Sequence, residues 1–356
     1  MTIVGRFGAL ALAALLAAGA CSRAEGADVS LTRDRATTTS TTTTTTTTVP
    51  PTTTTVAPTT TASSTTTTAP PQPPPPPTTT TAAAPAPPAS AAGYAPHLGL
   101  GAWIDVYDWS RYRGNNPVVG PADVDRMADE GVQTLYVQTA KHDTPDDILD
   151  RDLLGPILEQ ARARGLEIVA WYLPTLEDVD NDLRRLLASA GLGVDAIGVD
   201  IESRAVADVS ERNRRLVDLS GRLRHALPST SLAAIVLPPV VLEVINQSFW
   251  PSFPYRDIAP SYDAWMPMSY WTNRTHSSGY RDAHRYTDEN IRRLRNNVGD
   301  PALPVHPIGG IGDETTDVDL DGFHRAAVAH GSIGGSIYDY RTTDPSAWPR
   351  LRAFRY

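Results

Sequence analysis

An α/β fold of the (β/α)8 barrel type is predicted for residues 93–356, and three observations predict it. Short apolar runs alternate with amphipathic segments eight times over this stretch. Most of the runs are apolar throughout, as strands covered on both faces are. At about 260 residues the stretch has the size of a single barrel domain. A doubly wound open sheet would alternate in the same way, but no glycine-rich phosphate turn follows the first run.

Residues 98–104 read as the first strand, which ends at Asp105. Residues 121–130 form a helix opened by Pro121 and closed by Gly131, the positions these two residue types favour. A strand over 134–139 follows, then a helix over 153–164 stopped by Gly165. The third strand, 167–173, is broken by Pro174, and a helix over 176–190 ends before Gly191. The fourth strand, 194–202, carries Asp195, Gly198, Asp200 and Glu202. An Arg-rich helix over 209–227 stops at Pro228, and a strand over 231–237 stops at Pro238 and Pro239. Residues 240–261 are irregular. A strand over 264–270, a helix over 286–298, a strand over 305–311, a helix over 317–330 and a strand over 333–338 complete the alternation. A short segment around Trp348 closes the chain.

The residues before the domain are of another kind. Arg6, an apolar run over 7–18 and then Gly19-Ala20-Cys21 read as an export signal, because the run is too short to span a bilayer. Small residues before the chain's single cysteine resemble a bacterial lipobox, which implies cleavage after Ala20 and lipidation of Cys21. Residues 1–20 are then signal peptide and 21–92 a disordered linker. From Ala36 onward the linker is nearly all Thr, Pro, Ala and Ser and cannot bury a core. Such an extended segment suits a tether. The expected location is extracytoplasmic, anchored to the cell membrane by lipid. Lys141 is the only lysine among many arginines, a bias that fits a high-GC, actinobacterial source.

The chain has a net charge of −9. The few charges before residue 93 nearly cancel, so the acidic excess lies in the domain. That argues against nucleic acid as a partner. The domain has no cysteine, which excludes disulfides and thiolate metal sites. His97, His142 and His306 show no H-x-H or H-E-x-x-H spacing. No metal or cofactor is expected, and the domain is expected to act as a monomer. A metal hydrolase using the oxygens of Asp105, Asp200 and Glu202 is a lesser rival.

In a barrel of this type the chemistry sits where strands end and loops begin. Asp200 and Glu202 share one face of the fourth strand. Two neighbouring acids at the end of a buried strand are costly unless something uses or neutralises them. Arg204 and Lys141 are the candidate ion-pair partners. Other strand ends supply Trp103 and Asp105, Gln138, Trp171 and Tyr172, Met268 with Tyr270 and Trp271, Asp313 with Glu314, and Tyr338 with Asp339. Aromatic faces stack on sugar rings and paired carboxylates cleave glycosidic bonds. The mouth therefore reads as a saccharide groove acting on a polysaccharide. Its candidate substrate contacts are Asp105, Gln138, Tyr172, Trp271, Asp313, Tyr338 and Asp339. Trp271 and Tyr338 are expected to face the groove. Trp103 and Trp171 suit packing or groove equally, and Asp313 and Glu314 suit either substrate or a cap on the helix near Asp317.

Asp195-x-x-Gly198-x-Asp200-x-Glu202 resembles the fourth-strand D-x-x-D-x-D-x-E signature of glycoside hydrolase family 18, the chitinase-like TIM barrels. Met268-Ser269-Tyr270 resembles that family's sixth-strand M-x-Y. The resemblance implies Glu202 as general acid, Asp200 as the residue that orients the substrate's acetamido group, and Tyr270 as its hydrogen-bond partner. The sugar's own carbonyl oxygen would be the nucleophile. Gly198 stands where the family has its middle Asp, and Trp271 where an Asp usually follows the Tyr. A more distant barrel hydrolase could instead use double displacement, with Asp313, Glu314 or Asp339 as nucleophile. A barrel that binds envelope polysaccharide without cutting it is the non-enzymatic alternative.

Overall fold

The computed structural model describes residues 93–355, so the signal segment, Cys21 and the Thr/Pro-rich linker lie outside the described residues. Eight parallel strands form one sheet: β1 (Gly99–Ile104), β2 (Thr134–Gln138), β3 (Glu167–Tyr172), β4 (Ala196–Ile201), β5 (Ser231–Val236), β6 (Ala264–Pro267), β7 (Ile308–Ile311) and β8 (Gly334–Tyr338). Their order is β6-β5-β4-β3-β2-β1-β8-β7. The ring closes between β6 and β7 through single bridges, Trp265 to Val305 and Met268 to Ile308. Pro267, Pro304 and Pro307 lie at this seam. A proline has no N–H to give to a ladder. That shortens β6 and β7 relative to the runs predicted over 264–270 and 305–311.

The helices begin where side chains satisfy their free amides. Asp178 caps Val179–Ala190, accepting from the Asn181 amide at 3.0 Å. Leu176, at φ 64°, lies outside this helix, which is why it starts three residues after the expected point. Asp208 caps Val209–Ala226 and Asp282 caps Ala283–Val298. Thr316 and Asp319 form a capping box on Asp317–Ala329, so Asp313 and Glu314 are not its cap.

Strand register decides what fills the barrel. Trp103, Tyr136, Val169 and Gly198 belong to one inward set, since Trp103 pairs with Tyr136, Tyr136 with Val169, and Trp171 with Gly198. Trp103 stacks on Tyr136 with centroids 4.2 Å apart and meets Trp171 edge-on at 5.9 Å. Trp103 and Trp171 are 2% and 5% exposed, which resolves their reading in favour of packing. Small residues make room for these rings. A Cβ on Gly101 would stand 2.5 Å from Tyr136, and one on Gly198 would stand 2.9 Å from Ile235 and 3.1 Å from Trp171. An Asp at 198 would therefore collide with this packing.

Candidate active site

The mouth is built by the C-terminal ends of β4, β6, β8 and β1 and the turns that follow them. Asp200 is buried and Glu202 half-buried, side by side at the end of β4. Asp200 Oδ1 has no hydrogen-bond partner. No salt bridge reaches either acid among the described residues. The expected partners are engaged elsewhere: Arg204 lies over the Phe249 ring at 4.5 Å, and the Lys141 ammonium lies over Tyr107 and Tyr112 at 5.8 and 5.7 Å. Burial pushes both carboxyls up, and the Glu202 charge pushes Asp200 up further, while Lys141 opposes each shift. Both acids therefore hold a proton more readily than free carboxyls do.

Tyr270 ends the β6 run half-buried, and its phenol is pushed up by burial and by Asp200, Glu202 and Asp339. It thus stands between the β4 acids and the β8 side of the mouth. Its ring lies 5.9 Å from that of Tyr338, whose hydroxyl donates to Asp105 Oδ2 at 2.9 Å. Asp105 caps the first turn after β1. Its Oδ1 accepts from the Tyr107 amide at 2.7 Å, and Asp108 Oδ2 accepts from the Asp105 amide at 2.9 Å. Asp339 accepts from the Thr342 amide at 2.9 Å.

Asp105, Asp108 and Asp339 come together because β1 and β8 are neighbours in the ring. One oxygen of each lies within 4.8 Å of the others, and all three are buried. Burial, then mutual repulsion, pushes Asp108 up to about 8 and Asp339 up to about 6. Burial also raises Asp105, against the Tyr338 hydrogen bond. Among the described residues this is the group of acids close enough to share an ion. The rival trio of Asp105, Asp200 and Glu202 does not converge in that way.

Several expected contacts lie elsewhere. Tyr172 points outward from β3, one register step from inward-facing Trp171, and donates to Asp182 on the neighbouring helix at 2.7 Å. Trp271 is fully buried, 5.3 Å from Phe323 and packed over Gly309 and Gly310, so it belongs to the layer outside the barrel and not to the groove. Gln138 is 3% exposed; its Oε1 accepts from the Val106 amide at 3.3 Å, which ties β2 to the turn after β1. Asp313 and Glu314 are exposed on the turn after β7. Asp108 was missed. The signal for it was the Asp105-x-x-Asp108 spacing, which is that of a capping box.

The eight-stranded parallel barrel is a fold that solved chitinase structures share. No protein-family model and no curated protein matches the sequence. The likeness is to solved structures. The C-terminal domain of a candidate chitinase from Desulfitobacterium hafniense matches with a TM-score of 0.54 at 10% identity, over 72% of this chain and 100% of that one. The spore cortex-lytic enzyme SleL of Bacillus megaterium matches at 0.51 and 9%, over 73% and 74%. A family GH18 chitinase from Cycas revoluta, in complex with allosamidin, matches at 0.51 and 10%, over 72% and 98%. At such identities the likeness is one of fold.

Proposed function

We propose that this chain is a cell-surface glycoside hydrolase that cleaves a polysaccharide, with Glu202 as the general acid. The observation that carries the reading is the Asp200–Glu202 pair: two neighbouring acids at the barrel mouth, both raised, with no ion pair to hold them. Perturbed acids in a barrel mouth mark chemistry more often than structure. The chitinase-like fold supports it.

In this reading Glu202 gives its proton to the leaving glycosidic oxygen as the C–O bond breaks. Positive charge develops at the anomeric carbon. The substrate's acetamido oxygen closes on that carbon, oriented by Asp200 and hydrogen-bonded by Tyr270. Water then opens the cyclic intermediate, and Glu202 takes the proton back. If the nucleophile were instead an enzyme carboxylate, Asp339 is the one of the three considered that acts on Tyr270. Gly198 removes the family's middle Asp, so Lys141 is the charge that tempers the pair.

The test is release of reducing ends from chitin oligomers, peptidoglycan and envelope glycans. Glu202→Gln should keep its fold and glycan binding while losing activity by 100-fold or more, on the order general acid catalysis supplies. Activity that survives the change sinks the assignment. Glycan binding with no cleavage of any substrate by the parent protein would establish a non-catalytic barrel. The tether is part of the proposal: fatty-acid labelling of the expressed chain should disappear in Cys21→Ser. Label persisting there would remove the lipid anchor from the reading. No helix among the described residues is long and apolar enough to cross a membrane.

A further inference from the structure

Lys141 is the only lysine of the chain and follows the C-terminal end of β2, on the mouth side of the barrel. It is half-buried. Among the described residues its ammonium makes no salt bridge and no hydrogen bond. Two aromatic rings hold it instead. Its Nζ lies 5.8 Å from the centre of the Tyr107 ring and 5.7 Å from that of Tyr112, and the two rings meet edge-on at 5.3 Å. Both tyrosines sit on the turns after β1, next to Asp105. The cradle therefore fixes a positive charge at the mouth without pairing it to an acid.

The acids around this ammonium fall into two groups. Burial weakens its hold on its proton, Asp105, Asp143 and Asp200 oppose that, and Arg113 acts with burial. Asp143 has partners of its own, accepting from the Tyr112 hydroxyl at 2.8 Å and from Arg113 at 2.6 Å. Asp105 likewise accepts from the Tyr107 amide and the Tyr338 hydroxyl. Asp200 and Glu202 have no ion pair, and Asp200 Oδ1 has no hydrogen bond. Lys141 is the cation whose charge reaches both members of that pair. Two adjacent carboxyls titrate as a unit, in two steps. Burial by itself favours the doubly protonated, neutral pair. A nearby fixed cation favours the form that has lost one proton, and at this separation it leaves the oxygens of the pair open to a ligand.

We propose that Lys141, cradled by Tyr107 and Tyr112, is a positioning residue that keeps the Asp200–Glu202 pair at one proton and one negative charge. The inference deepens the glycosidase reading: the proton serves the leaving oxygen, and the charge faces the positive centre that bond breaking creates. The charge state of the pair can nevertheless be measured without turnover.

The experiment labels the full mature chain with carbon-13 at the Asp and Glu carboxyl carbons and follows the two resonances of the pair against pH. Asp200→Asn and Glu202→Gln assign them. The parent should show two separated steps with a single charge on the pair at neutral pH. Lys141→Met removes a positive charge, so the lower step should move up by about one pH unit or more. Lys141→Arg should restore most of the parent value. Tyr107→Leu, which keeps the lysine and loosens its cradle, should move the step part of the way, and it carries the test where Lys141→Met does not fold. In reducing-end release the acidic limb of kcat/KM should move up with the lower step. A lower step that stays in place in Lys141→Met, or a parent pair that is neutral or doubly charged at neutral pH, would overturn the proposal. Steps that shift as stated in a parent protein that cleaves no glycan would leave the role of Lys141 standing and remove the hydrolase.

Discussion

The two ends of the barrel both bury polar groups and treat them in opposite ways. At the floor, His306 Nδ1 meets the His97 carbonyl at 2.8 Å, which requires that nitrogen to carry the proton. Its Nε2 is then the acceptor, taking the Ser336 hydroxyl at 3.0 Å, and Ser336 in turn accepts from Trp103 Nε1 at 2.8 Å. Burial lowers His306 to about 4 and His97 to about 3, so both imidazoles stay neutral. At the mouth, burial and mutual repulsion act on acids that have few partners, and Asp200 Oδ1 has none. His97 Nε2 has no partner, but the run from the His97 carbonyl through His306 and Ser336 to Trp103 is satisfied and neutral, and such a network fixes a structure. An under-satisfied cluster of acids is destabilised until something binds or titrates it, which is the condition of a working site.

The largest test of that contrast is at Asp200. Asp200→Asn should lower the rate of reducing-end release by about 100-fold while the melting temperature holds or rises, because a buried acid without partners is removed. A melting temperature that falls by several degrees would place Asp200 with the structural floor instead. His306→Leu should do the reverse. It leaves the His97 carbonyl unpaired and the Ser336 hydroxyl proton without its acceptor, at a cost of roughly 2–4 kcal/mol read by chemical denaturation, with kcat on the surviving folded protein close to parent. A selective loss of kcat there would show that floor and mouth are coupled.

The smallest effect is in the pH dependence of stability. A neutral floor histidine binds fewer protons folded than unfolded, so the floor gains stability as pH rises from about 4 to the ordinary imidazole value of 6.5. Asp108 binds more protons folded, so the mouth loses stability as pH rises from the ordinary carboxyl value of 3.8 to about 8. The two trends oppose each other below pH 6.5, and the mouth alone acts above it. Asp108→Asn should flatten the decline above pH 6.5 and expose a clean rise below it in melting curves. An unchanged curve would show that Asp108 does not carry the alkaline limb.

Much of this molecule was legible in advance. The strand–helix alternation and the length point to a barrel, and Asp200, Glu202, Tyr270, Asp105, Tyr338 and Asp339 meet at its mouth. The misplacements share one cause. Near a strand end the run of apolar residues does not reveal which parity faces inward, and Tyr172 and Trp271 sit on the outward side. Gln138 faces inward but is consumed by the Val106 amide, a loop contact that no pattern along the chain encodes.

Element type and order follow from periodicity, caps and breakers, which act within a few residues and are therefore present in the chain itself. Closure of the ring is different. It brings β8 beside β1, so that Asp339 meets Asp105 and Asp108 from the far end of the domain, and it leaves Gly198 no room for a side chain between Ile235 and Trp171. It also buries Asp200 Oδ1 without a hydrogen-bond partner. Charge repulsion, steric room and missing hydrogen-bond partners depend on distances between residues remote in sequence, and only the folded barrel sets those distances.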